Sequence, residues 1–241
     1  MIKEKGKLYV IPTVIADQSH DRVILPEVKE IIKQLDYFLV ENVRTSRRFI
    51  SALKTGKKIE DIHFEVLDKR STMAMVKDLL QPAFDGTSIG LMSESGCPGI
   101  ADPGAKAVNL AHKFDIQVVP LVGPSSIFLA LMASGFNGQC FKFHGYLPVE
   151  RQERISKIKL LEKESRKLGQ SQIFIETPYR NDHMLEDLVG HCHGETRICI
   201  ARDITGKNEL IKTQKIIAWK SEKPDLNKWP TVFVLYAGKE M

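Results

Sequence analysis

Short apolar runs alternate with longer amphipathic stretches along the first half of this 241-residue chain. Five of these runs predict strands, at residues 8–11, 37–40, 62–66, 88–92 and 116–121. A helix opened by Pro26 separates the first two, and its apolar residues recur at i, i+3, i+4 and i+7. Alternation of this kind is typical of α/β chains, in which helices connect parallel strands. The predicted fold class is therefore α/β.

The pattern restarts after residue 135. Strands are predicted at residues 141–146, 173–175, 197–201, 211–219 and 231–236. The charged helix Arg151–Leu168 is interpreted as a solvated face, and the helix opened by Ser125 and Ser126 is apolar on nearly every side, which predicts burial. Consecutive strands without helices between them predict a mixed sheet. We expect two α/β domains, residues 1–120 and 121–241.

Composition excludes several classes of protein. The chain is 43% hydrophobic and 27% charged, and none of its apolar runs approaches the roughly 20 residues of a membrane span. Residues 1–7 lack the apolar stretch of a signal peptide, so a cytoplasmic protein is expected. The four cysteines show no paired spacing. No metal site is expected, because the adjacent residues His191, Cys192 and His193 rarely converge on one ion.

Residues 93–104 form a loop dense in glycine and proline between a predicted strand and a predicted helix. Such loops bring main-chain amides and carbonyls against a ligand at the carboxyl end of the strand. Asp102 and Pro103 are expected to be the N-cap and the first residue of the helix that follows. This loop is the first candidate for a cofactor site.

Several blocks of sequence, in order along residues 8–236, resemble the tetrapyrrole methylase family. They include Ser-Glu-Ser-Gly-Cys-Pro-Gly from residue 93, Val-Gly-Pro-Ser-Ser from residue 122, Phe-Ile-Glu-Thr-Pro-Tyr-Arg from residue 174 and Ala-Arg-Asp-Ile-Thr from residue 201. The resemblance is to its branch of bacterial ribosomal RNA cytidine 2′-O-methyltransferases, in a short form without their C-terminal helical extension. It implies two α/β domains with S-adenosylmethionine in the cleft between them, usually within a homodimer.

The resemblance also implies the site residues. Matched by position, the cofactor-binding residues are Pro12, Glu94, Gly96, Cys97, Pro98, Ile100, Ser125, Ser126, Phe174, Ala201, Pro230 and Thr231. The main-chain donors where the helix starts at Ser125 and Ser126 suit an anionic group of the cofactor. Cys97 is interpreted as a small lining residue.

Glu41 and Arg44 are the candidate catalytic residues. Glu41 ends a predicted strand and suits a base that polarises a hydroxyl, although a helix cap or an ion pair with Arg44 explains it equally well. Glu94 suits the same role, or a hydrogen bond to the ribose of the cofactor. Arg44, Arg47 and Arg48 form a basic cluster suited to RNA phosphates, and a charged helix start is the alternative.

The chain departs from the branch at three places. Val14-Ile15-Ala16 stands where the branch has Gly-Asn-Leu, and Asn42 stands where it has an aspartate. The third is Asp203-Ile204-Thr205-Gly206-Lys207, which stands where the branch has a Glu-Leu-Thr-Lys block. The expected activity is transfer of a methyl group from S-adenosylmethionine to a ribose 2′-hydroxyl of small-subunit ribosomal RNA. Two alternatives are methylation of a tetrapyrrole or other small molecule, and a catalytically silent member that binds cofactor or RNA.

Overall fold

The computed structural model describes residues 4–239, which form two compact units that meet in sequence at Ser125 and Ser126. Residues 1–3 of the N-terminal segment considered above lie outside the described residues. The strands are β1 (Leu8–Ile11), β2 (Tyr37–Val40), β3 (His63–Val66), β4 (Ile89–Met92), β5 (Val118–Pro120), β6 (Phe141–Tyr146), β7 (Ser171–Ile175), β8 (Arg197–Arg202), β9 (Leu210–Lys215) and β10 (Thr231–Tyr236). The helices are α1 (His20–Val23), α2 (Pro26–Gln34), α3 (Val43–Ala52), α4 (Met73–Leu79), α5 (Gln81–Phe84), α6 (Ala105–Lys113), α7 (Ser126–Ser134), α8 (Arg151–Leu168), α9 (Asn181–His191) and α10 (Ile216–Ser221). The mixed α/β class is confirmed.

The first unit contains a five-stranded parallel sheet in the order β3-β2-β4-β1-β5. Alternate strand residues point to opposite faces, so Leu8 and Leu39 belong to the core beneath α4 and α6, whereas Ile11 and Phe38 belong to the core beneath α2 and α3. Both faces are buried, as expected of a parallel sheet. At the centre of β4, a Cβ on Gly90 would lie 2.5 Å from the ring of Phe38, so only glycine leaves room for that ring.

The second unit contains a mixed sheet in the order β6-β7-β10-β8-β9, which confirms the prediction. Only β6 and β7 are parallel, and the other neighbours are antiparallel. Helices α8, α9 and α10 cover one face around Phe174 and Phe233, and α7 packs on the other face against β8, β9 and β10. No helix in residues 4–239 is long and apolar enough to cross a membrane.

Three sequence expectations for the second unit need correction. Helix α7 is not buried all round, because only one side meets the sheet; Phe128 is 55% exposed and Met132 is 77% exposed. The strand predicted at residues 211–219 ends at Lys215. The helix α10 follows because it places Ile216 and Trp219 in the core, where the indole Nε1 donates to the carbonyl of Ile198 at 3.2 Å.

The third correction concerns α8, whose charged residues are not all solvated. Arg154 is buried, and its guanidinium donates to the buried carboxylate of Asp187 on α9, with Nη2 2.6 Å from Oδ2. Arg154 Nη1 also donates to the carbonyl of Val149 at 2.9 Å. A buried arginine with these partners connects the two helices, and removing one partner of such a pair typically costs about 3–5 kcal/mol of stability.

Candidate functional site

The loops that follow β1, β2 and β4 meet at the carboxyl edge of the parallel sheet. The chain leaves β1 towards α2 on one face and leaves the neighbouring β4 towards α6 on the opposite face. Loops that diverge in this way open a crevice, which is where ligands bind in open α/β sheets. Main-chain hydrogen bonds connect the two loops: the amide of Thr13 donates to the carbonyl of Gly96 at 2.9 Å, and the amide of Gly96 donates to Val14 at 3.4 Å.

Within the loop of residues 93–104, Asp102 holds the backbone in a closed turn. Its carboxylate accepts hydrogen bonds from the amides of Gly99 and Gly104 at 2.8 and 2.6 Å. The expected N-cap role is therefore wrong, because α6 begins only at Ala105 and Asp102 stabilises the preceding turn instead. Gly96 has a φ of +71°, a left-handed conformation that favours glycine. Burial raises the pKa of Asp102, although its two amide hydrogen bonds oppose this.

The predicted cofactor residues in the loops after β1 and β4 differ in exposure. Pro12, Gly96 and Pro98 are buried, whereas the side chain of Ile100 is 53% exposed. Cys97 is half-buried, and its Sγ lies 3.3 Å from the carbonyl oxygen of Pro124. Burial raises the pKa of the Cys97 thiol, which keeps it protonated and agrees with a lining residue rather than a nucleophile.

The carboxylates Glu41 and Glu94 lie together at this edge. The amide of Glu94 donates to Glu41 Oε2 at 3.5 Å, and the hydroxyl of Thr45 donates to Glu94 Oε1 at 3.4 Å. Burial is the largest cause that raises the pKa of Glu41, and the negative charges of Glu94 and Asp102 raise it further. Glu41 therefore keeps its proton to a higher pH than an ordinary glutamate does.

Helix α3 begins at this edge with a cap that the sequence analysis missed. The side chain of Asn42 accepts hydrogen bonds from the amides of Arg44 and Thr45 at 3.0 and 3.3 Å. Asparagine is a preferred N-cap, so its position before the helical pattern was a usable signal. Glu41 is not the cap, and among the ion pairs of residues 4–239 none joins Glu41 to Arg44.

The predicted RNA-binding arginines of α3 do not share one environment. Arg44, Arg47 and Arg48 are all exposed, while Ser46, Phe49 and Ile50 are buried. Arg48 lines a cavity of about 300 Å³ between α3 and the loops after β1 and β4. The cavity is lined by Thr13, Val14, Ile15, Asp17, Gln18, His20, Thr45, Ser46, Arg48, Phe49, Ala52, Ser93 and Glu94. Of the predicted cofactor set, Glu94 is the residue that also lines this cavity.

In the second unit, strand register brings most of the predicted cofactor residues to one edge. Val232 pairs with Ile175 of β7 and with Ala201 of β8, so Phe174, Ala201 and Thr231 lie near one another. Phe174 is wholly buried and stacks on Phe233 with ring centroids 5.6 Å apart, so its ring belongs to the core of the second unit. Of the remaining residues, Pro230 is exposed beside Thr231, Ser125 ends the first unit and Ser126 begins α7.

The same edge contains buried polar atoms that the sequence analysis did not single out. Glu176 follows β7, and its Oε1 accepts from the amide of Thr177 at 2.6 Å and from Arg180 Nη2 at 2.5 Å. Within the described part of the chain, Glu176 Oε2, Arg180 Nε and Asn181 Oδ1 are buried without a hydrogen-bond partner. Unpaired buried polar atoms are costly, so they mark a place suited to a polar ligand.

The side chains of Arg202 and Cys192 both have neighbours that explain them within the fold. The guanidinium of Arg202, in the block of residues 201–205, donates to the carbonyls of Asp225 and Asn208 at 2.8 and 3.2 Å and lies over the ring of Trp229. Burial raises the pKa of Cys192 to about 12, so this thiol is a poor source of the thiolate that a metal needs. No group of three or more metal-ligating side chains is found within residues 4–239.

Comparison with known proteins identifies relatives along nearly the whole chain. The ribosomal RNA small subunit methyltransferase I of Buchnera aphidicola (Acyrthosiphon pisum) is 30% identical over 98% of this chain and 80% of its own length. The proteins of the same name from Vibrio cholerae and Escherichia coli O157:H7 are 29% and 28% identical, over 97% and 98% of this chain and 78% and 79% of their own lengths. No family model matches the chain.

The fold has a counterpart among solved structures. The crystal structure of the methyltransferase CobJ superposes with a TM-score of 0.64 at 15% sequence identity, and the match covers 96% of this chain and 94% of CobJ. At that identity the likeness concerns the fold alone, and it confirms the predicted α/β architecture. Together with the sequence identity to the Buchnera protein, these findings lead to one conclusion: the chain belongs to the ribosomal RNA small subunit methyltransferase I branch of the tetrapyrrole methylase family.

Proposed function

We propose that this protein transfers a methyl group from S-adenosylmethionine to a ribose 2′-hydroxyl in the RNA of the small ribosomal subunit. The observation that carries the proposal is the sequence identity of 28–30% to ribosomal RNA small subunit methyltransferases, which extends over 97–98% of the chain. The crevice beside β1 and β4, with carboxylates and an arginine-bearing helix at its edge, agrees with a site for a cationic donor and a polyanionic acceptor.

The residues at the carboxyl edge of the first unit fit this cofactor. The chemistry that bound S-adenosylmethionine supplies is an electrophilic methyl carbon on a positively charged sulfonium. Glu41, Glu94 and Asp102 give the crevice negative charge, which favours a cation there. In this proposal the loop of residues 93–104, held by Asp102, contributes main-chain contacts to the cofactor. The unpaired atoms Glu176 Oε2, Arg180 Nε and Asn181 Oδ1 of the second unit fit polar groups of a ligand.

The protein's contribution to the reaction is mainly alignment of the acceptor hydroxyl and removal of its proton. Positioning a nucleophile in line can supply much of the reduction in a barrier. Glu41 is proposed as the base, because its raised pKa makes it a better proton acceptor once it is ionised. Arg44 and Arg47 are proposed to bind phosphates outside the cavity, since both are exposed on α3.

The function is tested by incubating the purified chain with methyl-labelled S-adenosylmethionine and small ribosomal subunits from cells that lack the protein. Label is expected in the RNA, at a nucleotide that becomes resistant to alkaline cleavage because its 2′-hydroxyl is blocked. Calorimetry with S-adenosylhomocysteine measures cofactor binding separately. Cofactor binding without label in RNA would favour a catalytically silent protein that binds the cofactor. Absence of cofactor binding would contradict the proposal that the protein is a methyltransferase dependent on S-adenosylmethionine.

The double variant Arg44→Ala, Arg47→Ala is expected to weaken binding of subunit RNA and to leave the affinity for S-adenosylhomocysteine unchanged. Each lost phosphate contact should reduce the slope of log affinity against log salt by about 0.7–1. The control is Lys159→Ala, Lys163→Ala, which removes the same charge from the exposed face of α8. Equal losses in the two double variants would show a general charge effect instead of a contact by α3.

The rate of methyl transfer is expected to depend on pH through Glu41. A base acts only when ionised, so the single-turnover rate should rise with pH, with a midpoint above the roughly 4.3 of an ordinary glutamate. Glu94→Gln removes one of the charges that raise the pKa of Glu41, so the midpoint should move to lower pH. Glu41→Gln should lower the rate by about 10²–10⁴-fold and abolish this inflection.

The exposed Glu60→Gln is the control for these two variants and should leave the profile unchanged. A Glu41→Gln protein that keeps the wild-type rate and midpoint would exclude Glu41 as the base. Loss of activity in Glu94→Gln alone would assign the base to Glu94.

We also propose that the protein forms a homodimer through the exposed side of α7. Phe128 and Met132 project from this helix, and the ring of Phe128 lies edge-on to Phe141 of β6 with centroids 6.0 Å apart. β6 is an edge strand, and α7 contains no charged residue. A two-fold axis places a patch against its own copy, so an uncharged apolar patch meets no like-charge repulsion there.

Met132→Glu is therefore expected to convert a dimer to a monomer in size-exclusion chromatography with light scattering, because a charge would be buried against a second copy. Leu168→Glu, at an exposed apolar position of α8, is the control and should leave the mass unchanged. A wild-type chain that stays monomeric at concentrations on the order of tens of micromolar would contradict the proposed dimer.

A further inference from the structure

The function proposed above assigns no particular occupant to the cavity between α3 and the loops after β1 and β4. We infer that it holds the acceptor nucleoside, drawn out of the RNA, with the base against its apolar wall and the ribose towards Glu94. This inference rests on the proposed function and names the acceptor's site.

The position of the cavity suits a donor and an acceptor that must meet. Ser93 and Glu94 line it and also begin the loop proposed for the cofactor, whereas Gly96, Cys97 and Pro98 are not part of its lining. The cavity thus adjoins the cofactor loop without occupying it. In-line transfer needs reacting atoms about 3–3.5 Å apart, which requires neighbouring but separate sites.

The size of the cavity limits what can enter it. A volume of about 300 Å³ lies at the lower end of the range of about 300–1,000 Å³ for small-molecule sites. An RNA helix or several stacked bases cannot enter such a space, but one nucleoside can. Enzymes that modify a single nucleotide commonly extrude it into a fitted pocket and offset part of the unstacking cost with contacts there.

The lining combines the two kinds of contact that a nucleoside requires. Val14, Ile15 and Phe49 provide apolar surface for the faces of a base, while other lining residues carry donors and acceptors for its edge and for the ribose hydroxyls. The polar members are Thr13, Asp17, Gln18, His20, Thr45, Ser46, Arg48, Ser93 and Glu94.

Helix α3 connects this cavity with the surface proposed for phosphates. Thr45, Arg48, Phe49 and Ala52 follow the i, i+3, i+4, i+7 spacing of one helix face, and all four line the cavity. Arg44 lies on the turn before Arg48 and is exposed outside the lining. The arginines of α3 thus divide into one inside the cavity and others outside it, as an extruded nucleoside with flanking phosphates would require.

The test fills the cavity from α3. Ala52→Phe places a large side chain at a lining position near the end of the helix, and Ser51→Phe places the same side chain at the adjacent exposed position outside the lining. Ala52→Phe is expected to slow methyl transfer to small subunits by roughly tenfold or more, with the affinity for S-adenosylhomocysteine and the unfolding midpoint unchanged. Ser51→Phe should behave as wild type.

Wild-type rates in Ala52→Phe, or equal losses in the two variants, would overturn the inference while leaving the proposed function in place. A wild-type chain that methylates no subunit RNA contradicts the proposed function, and the inference with it. These outcomes are distinguishable because the wild-type assay is run first.

A second pair of variants covers the case in which phenylalanine at position 52 disturbs folding. Ala52→Cys should react with N-ethylmaleimide, and small subunits with S-adenosylhomocysteine should slow that reaction several-fold, as measured by mass spectrometry of the peptide. Ser51→Cys should react without that protection if only the cavity is filled. Equal protection at the two positions, or none at position 52, would overturn the inference.

Discussion

The adjacency of β1 and β4 is the constraint on which the rest of the first unit depends. These neighbouring parallel strands send the chain to opposite faces of the sheet, so their loops separate and leave a crevice at the carboxyl edge. Pro12, Glu41 and Glu94 reach one edge only because parallel strands all end there. A sheet with β1 and β4 apart would contain the same loops without this crevice.

Short polar contacts then give the loops at this edge their shape. Asp102 closes its loop by accepting two amide hydrogen bonds, the carbonyl of Gly96 accepts one from Thr13, and Asn42 caps α3. These bonds satisfy main-chain groups that a turn would otherwise leave unpaired. The result is a negatively charged crevice beside a helix with exposed arginines, which separates a region suited to a cation from one suited to phosphates.

Much of the fold could be predicted from sequence because its elements have strong patterns. β1, β2, β6, α8 and β10 have the predicted bounds, since their apolar periodicity and flanking residues agree. The failures share a cause that is not local. Arg154 is buried on α8 because its guanidinium pairs with Asp187 on α9, and α10 replaces a strand because Trp219 packs in the core and donates to the carbonyl of Ile198. Asp187 is far from Arg154 in sequence, and Ile198 is far from Trp219.

The sequence by itself determined the α/β class, the mixed second sheet and the family, because these depend on periodicity and on ordered blocks of residues. It also pointed to the loop of residues 93–104. Only the tertiary structure decided that Arg48 lines a cavity while Arg44 and Arg47 do not, that Glu41 has a raised pKa, and that α7 exposes Phe128 and Met132. These properties depend on distances and burial between residues far apart in the chain, and periodicity along the chain contains no measure of either.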